Sequence, residues 1–121
     1  MGKSNIMHID EAPLVWGQPR RADGVLVTGS QFIGDLETGP WVYVNSMEPN
    51  SAVETHSHTV DEVIYVVEGS LTIGGRTCGP GTVLAIGKDT EYEFTAGHEG
   101  VRFLNIRPGL DAGPGAAVTS G

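Results

Sequence analysis

The apolar positions of this chain recur with a period of two in short runs, and glycine or another turn former closes each run. Alternation of that kind places successive side chains on opposite faces of an extended strand. The clearest run is 62–67, Glu-Val-Ile-Tyr-Val-Val; others cover 25–33 (broken at Gly29), 41–47, 70–73, 82–86, 92–95 and 101–106. Gly69, Gly74-Gly75, Gly79-Pro80-Gly81, Gly87 and the stretch 97–100 separate them. No apolar series at helical spacing survives between 18 glycines and 7 prolines. The pattern predicts an all-β sandwich or barrel built from short strands. In the run 62–67, Ile64 and Val66 share the parity of Glu62 and face the interior. Val63, Tyr65 and Val67 face outward, and their apolar character predicts cover from an N-terminal strand or a second subunit.

At 121 residues the chain has the length of one domain. The expected division is an N-terminal arm over 1–24, a barrel over 25–107 and a flexible tail over 108–121. The arm carries an apolar patch, Leu14-Val15-Trp16, that suits an edge or swapped strand. The tail is made of small residues and is uncharged except for Asp111. Fifteen acidic against 7 basic residues give a formal net charge of −8. No basic run exceeds Arg20-Arg21, so nucleic acid is excluded as an expected partner. No stretch approaches the ~20 apolar residues of a membrane helix, and residues 1–6 lack the apolar core of a secretory signal. These features predict a cytoplasmic protein with no membrane association. Cys78, the single cysteine, has no partner for an intrachain disulfide.

Candidate chemistry is concentrated in residues 54–62, Glu-Thr-His-Ser-His-Thr-Val-Asp-Glu. On an extended chain His56 and His58 point to one face, about 7 Å apart at Cα. Glu62 opens the strongest strand after a short turn through Thr59-Val60-Asp61, and a reversal there brings its carboxylate to the same pocket. Two imidazoles and a carboxylate suit divalent iron, manganese, nickel, copper or zinc, with positions left for water or substrate. The competing reading is a solvated polar loop, and spacing alone does not separate the two.

The same residues resemble the first motif of the cupins: HxH, three or four residues, Glu, six residues, Gly. Here His56-x-His58, Glu62 and Gly69 meet every spacing, while Asn50 stands where a glycine is usual before the first histidine. The resemblance covers about 40–107. It implies a cupin-type double-stranded β-helix, or jelly-roll barrel, with His56, His58 and Glu62 as ligands of one divalent transition metal ion. It also points to a homodimer, since small cupins are commonly dimers. The second motif is degenerate: counted from Gly81, Gly87 replaces a usual Pro, Asp89 a usual Gly and Ala96 a usual Asn. Tyr92 stands where the third metal-binding histidine is usual.

Three roles are open to Tyr92: a hydroxyl that binds substrate or passes a proton, a metal ligand, or an aromatic that plugs the barrel wall. The ectoine synthases, themselves cupin-like, offer a precedent for tyrosine ligation. A register slip of one residue would place Glu91 in the pocket instead. Alternation favours Tyr92, which shares a face with Phe94 while Glu91 and Glu93 face water. Glu54 and Asp61 read as solvated loop charges, and His98 as an exposed residue in a hairpin turn. His8 falls in the arm, and Cys78 lacks the basic neighbour of a nucleophile.

The resemblance therefore implies a metal-dependent enzyme acting on a small organic molecule, with Tyr92 as the catalytic residue. Non-redox lyase, isomerase or cyclase chemistry is favoured over dioxygenase chemistry, because the usual third histidine is missing. The alternative is a cupin that binds a sugar or organic acid without turnover. A storage barrel is the weakest reading, because it gives no reason for a complete His-His-Glu set.

Overall fold

The computed structural model describes Ile9 and residues 14–17, 21–34 and 40–108. His8, the rest of the expected arm before Arg21 and the expected tail beyond Pro108 lie outside these residues. Among the described residues there are ten strands and no α-helix. They are β1 Leu14–Gly17, β2 Arg21–Ala22, β3 Val25–Leu26, β4 Gly29–Gly34 and β5 Trp41–Met47. The others are β6 Ala52–His56, β7 Glu62–Ile73, β8 Arg76–Cys78, β9 Val83–Ile86 and β10 Tyr92–Arg107. One sheet runs β1-β4-β5-β10-β7-β8, with β6 also paired to β10 and β9 to β7; β2 and β3 form a separate hairpin.

The alternation read from the sequence decides which face is buried, and the antiparallel registers then align the strands into rows. One row of Cα partners is Ile64, Asn105, Tyr43 and Phe32; the next is Val66, Phe103, Asn45 and Ser30. Ile64, Val66, Phe103, Asn105, Asn45, Phe32 and Ser30 are all buried. This face is apolar toward β7 and polar-aromatic toward β4 and β5. Met47, Leu71, Phe94, Ala96 and Val101 join Ile64, Val66 and Phe103 in one core cluster.

Two long strands close the barrel. The runs 62–67 and 70–73 are a single strand, β7, and the runs 92–95 and 101–106 are joined in β10. Gly69 and the 97–100 stretch are therefore bends within strands rather than hairpin turns. The β10–β7 register shifts between Ala96 and Val101, which accommodates the extra residues. Through that bend β10 pairs first with β6 and then with β5, while keeping β7 on its other side. The two bends touch: a Cβ on Gly69 would lie 2.1 Å from the Gly100 carbonyl oxygen, and Gly69 itself has φ +75°. Only glycine fits such a backbone approach.

Two positions where the cupin motifs usually carry glycine keep that backbone conformation without it. Asn50 has φ +64° and Asp89 φ +62°. Asn and Asp are the residues that tolerate the left-handed region best after glycine. The sequence departs from the motif at these positions while the backbone does not.

β1 pairs with β4 at the sheet edge. The short strands β6 and β8 were not anticipated, because 52–56 and 76–78 carry little apolar alternation. On the outer face Tyr65, Val67 and Val83 stay 39%, 40% and 61% exposed, with Tyr65 the register partner of Val83. His98 lies within β10 with its side chain exposed, so it is an outward residue of the bend.

Replacing Gly69 by Ala is expected to destabilise the protein by at least about 2 kcal/mol, through left-handed strain and backbone collision. Asn50→Gly, where the fold already accepts positive φ, is expected to change stability by less than about 1 kcal/mol. Urea unfolding of the two variants beside the wild type checks this, and equal losses would contradict it.

Candidate functional site

His56 ends β6, Glu62 begins β7, and Tyr92 and Arg107 are the two ends of β10. His58 lies in the loop between β6 and β7. Strand pairing brings these residues together: Tyr92 is the register partner of His56. On the β10–β7 side, Asn105 pairs with Ile64 and Ile106 with Val63, so the next step places Arg107 opposite Glu62. His58, Glu62 and Arg107 are 4%, 3% and 1% exposed, whereas His56 and Tyr92 are half-buried.

The loop carrying His58 is tied down by its neighbour. The Asp89 N–H donates to the His58 carbonyl at 2.7 Å, and the Lys88 N–H to Asp61 Oδ1 at 2.9 Å. Asp61 thus has a structural job, holding the 87–90 turn against the 57–61 loop. Below the site the Tyr92 ring lies parallel to Phe94, 6.3 Å between centroids, and Phe94 meets Phe103 edge-on at 5.6 Å. These contacts connect the mouth of the barrel to its core.

The hydrogen bonds define which atoms are available. His56 Nδ1 lies 2.8 Å from the Glu54 carbonyl oxygen, which can only accept. Nδ1 therefore carries the proton and Nε2 keeps its lone pair. Arg107 Nη2 lies 3.2 Å from His58 Nε2, and because a guanidinium only donates, His58 Nε2 is the acceptor. Arg107 Nε donates to Glu62 Oε2 at 3.2 Å, and the Tyr92 hydroxyl donates to Glu62 Oε1. The guanidinium also lies over the Tyr43 ring, 5.5 Å from its centroid. Burial, then the hydrogen bond to Glu62 and the charge of that carboxylate, push the Tyr92 phenol pKa well above its ordinary value near 10, against an opposing pull from Arg107. Tyr92 is accordingly a protonated donor across the neutral range.

The structure thus brings His56, His58, Glu62 and Tyr92 to one end of the barrel and adds Arg107, which the sequence reading did not single out. The available signal was parity: Phe103, Asn105 and Arg107 lie on one face of β10, and all are buried. Glu91 and Glu93 are exposed, and Glu54 and His98 also face outward. Cys78 is a buried free thiol in the core cluster. Two cavities flank the site. One, of about 580 Å³, is bordered by His56, Asn45, Met47, Val53 and Phe103. The other, of about 440 Å³, is bordered by Glu62, Arg107, Asp61, Ile86 and Gly87. Both have the size of small-molecule sites.

The donor chemistry fits a divalent transition metal ion. Both imidazoles offer Nε2, and His56 has its other nitrogen on a carbonyl, the arrangement that orients histidine ligands. His58 Nε2 and Glu62 Oε2 are 3.8 Å apart, within reach of one ion at about 2.1 Å from each. The guanidinium on these two atoms is a stand-in cation, showing that the pair accommodates positive charge. Among the described residues no three His, Cys, Asp or Glu side chains stand converged as a ready-made ion cage. An ion at His58 and Glu62 would take the atoms that Arg107 now bonds.

No protein-family model matches this chain, and no curated protein matches it either. Solved structures do. The polyketide cyclase RemF from Streptomyces resistomycificus is 23% identical with a TM-score of 0.69, over 92% of this chain and 83% of that one. An RmlC-like cupin from Shewanella frigidimarina is 13% identical with a TM-score of 0.65, over 90% and 95%. The Fe(II) form of HppE is 14% identical with a TM-score of 0.68, over 88% of this chain and 62% of that one. These likenesses establish the fold: the barrel is a cupin-type double-stranded β-helix, as the His56-x-His58-x3-Glu62 motif implied. Among the described residues no helix is long and apolar enough to cross a membrane.

Two outcomes are expected of metal-free protein. Arg107→Met leaves a buried carboxylate unpaired and costs about 3–5 kcal/mol. In the Glu62→Gln/Arg107→Met double variant the loss is smaller by about 1–3 kcal/mol, as a double-mutant cycle in urea would show. The raised Tyr92 pKa sets a pH dependence. The folded state keeps a proton that the unfolded chain releases near pH 10, so this stabilisation is complete below about pH 10 and lost above it. Wild-type stability should then fall more steeply than that of Tyr92→Phe, by up to about 1.4 kcal/mol per pH unit. Urea midpoints between about pH 8 and 11 test the difference, and parallel profiles would refute it.

Proposed function

We propose that this cupin is a metal-dependent enzyme acting on a small organic molecule, with His56, His58 and Glu62 holding one divalent transition metal ion. The observation that carries the reading is that two imidazoles, one of them buried, and a buried carboxylate stand at one barrel mouth beside a tyrosine hydroxyl. A bound ion would supply a Lewis acid for a carbonyl or carboxylate oxygen. The chain's own groups do the rest. Tyr92 donates a hydrogen bond or a proton to a substrate oxygen, because its hydroxyl stays protonated at neutral pH. Arg107, lying over the Tyr43 ring, supplies the charged wall, and the cavity bordered by Glu62 and Arg107 receives the organic part of the substrate.

We favour non-redox lyase, isomerase or cyclase chemistry over dioxygenase chemistry, with Tyr92 as the acid rather than as a ligand. The name of one structural neighbour, a polyketide cyclase, supports the first group; another neighbour, Fe(II) HppE, shows that the fold also hosts iron. The cupin fold by itself selects no reaction. One observation favours a second reading, a binding module without turnover: Arg107 already completes the charge of Glu62, so the pocket is electrically balanced without an ion. The proposal retains a cytoplasmic homodimer. The exposed Tyr65, Val67 and Val83 are the apolar surface such a dimer would use.

Elemental analysis of protein purified without a metal-binding tag is expected to find about one transition-metal ion per chain, lost in His56→Ala. Retention in Tyr92→Phe would identify Tyr92 as the proton-transfer or substrate residue, and loss would make it a ligand. No ion as isolated, and none taken up from iron, manganese, nickel, copper or zinc, would favour the binding module instead.

A further inference from the structure

Arg107 is 1% exposed, yet only part of its donor edge is satisfied. Nε is held by Glu62 and Nη2 by His58, while Nη1 is buried without a hydrogen-bond partner. On the same β10 face, Asn105 is 4% exposed and its Oδ1 has no partner either. A buried donor left unpaired is costly, and native proteins leave few of them without a purpose. Arg107 and Glu62 both border the cavity of about 440 Å³, together with Pro40, Ile86, Gly87 and Ile106.

The charges indicate what belongs there. Glu62 and Arg107 cancel in the structure. A divalent ion on His58 and Glu62 would strip the guanidinium of its counter-ion and leave the buried group two charges positive. An unpaired buried guanidinium is strongly disfavoured, so an anion has to enter with the ion. The nearest other charges do not replace it. Asp61, on the wall of the same cavity, is exposed and engaged by the Lys88 N–H, and Lys88 is exposed on the adjoining turn. A chain with net charge −8 draws no anion from a distance, so the attraction must be local to Arg107.

We propose that the organic ligand of this site is a small carboxylate, received by the Arg107 guanidinium once an ion on His58 and Glu62 has released it. The inference rests on the metal reading above and assigns the substrate class to that same site. A carboxylate matches the planar fork of one guanidinium. A phosphate, with more oxygens and more charge, needs additional donors such as a helix N-terminus, and the described residues contain no helix. Ion and acid then bind cooperatively, each strengthening the other by the same factor.

The test measures Mn2+ binding calorimetrically, with Zn2+ as a second ion, in the presence of saturating propionate or of propionamide, its neutral isostere. Propionate is expected to raise the affinity for the ion about tenfold or more, and propionamide by less than about twofold. In Arg107→Gln the ion should still bind and the propionate gain should vanish. Arg107→Lys keeps a charge for Glu62 and serves if the Gln variant does not fold; without the fork its gain should drop to about threefold or less. Ion binding that responds alike to acid and amide, or a propionate gain undiminished in the Arg107 variants, would overturn this inference and leave the metal reading standing. Failure of either ion to bind would overturn both.

Discussion

The contact between Glu62 and Arg107 is the constraint on which the rest of the site depends. It joins the first residue of β7 to the last residue of β10, the two longest strands in the barrel. A slip of one residue would turn Val63 and Ile106 inward and leave two charges on the outer face. Apolar alternation fixes which face is buried, and the charge pair penalises the alternatives at the end of the ladder, where packing alone discriminates least. A buried ion pair is not in itself a strong source of stability. Its consequence here is arrangement: with both charges in place, the Tyr92 hydroxyl and His58 Nε2 each have a defined partner.

The mouth of the barrel is held from below and from the side. Below it, Tyr92, Phe94 and Phe103 continue from the site into the core, so a shift of Tyr92 disturbs aromatic packing as well as one hydrogen bond. At the side, the backbone of the 87–90 turn secures the loop that carries His58. Asp89 and Asn50 adopt the left-handed conformation with short polar side chains where the motif usually has glycine. The backbone therefore stays in place even though the second motif has lost its histidine, its asparagine and its proline.

Tyrosine in the place of the motif's usual histidine and the presence of Arg107 change the electrostatics together. A third imidazole would be a neutral donor for an ion, whereas Tyr92 in its buried setting keeps its proton. The arginine supplies a permanent positive charge against the carboxylate. The interior thus carries a cation beneath an acidic exterior, and a cavity of about 440 Å³ borders it. Proteins of this fold include a polyketide cyclase and an iron-containing protein. The chemistry therefore depends on such local differences rather than on the barrel.

Local pattern was enough to establish several features from the sequence. Alternation gave most of the strands, though not β6 or β8, as well as the inward parity of Ile64 and Val66 and the choice of Tyr92 over Glu91. The spacing of His56, His58 and Glu62 on either side of a single short turn marked them as a candidate group, with a solvated loop as the competing reading. What the tertiary structure decided is what depends on pairing between distant segments. That 62–67 and 70–73 are one strand follows from the continuous ladder along β10, since a glycine in a sequence marks a bend and a turn equally well. Arg107 stands 45 residues from Glu62, and the contact exists only because a particular register closes the barrel. Register is set by the sum of many cross-strand contacts, so no short stretch of sequence encodes it: parity puts Arg107 on the inner face of β10, but only the folded barrel pairs it with Glu62.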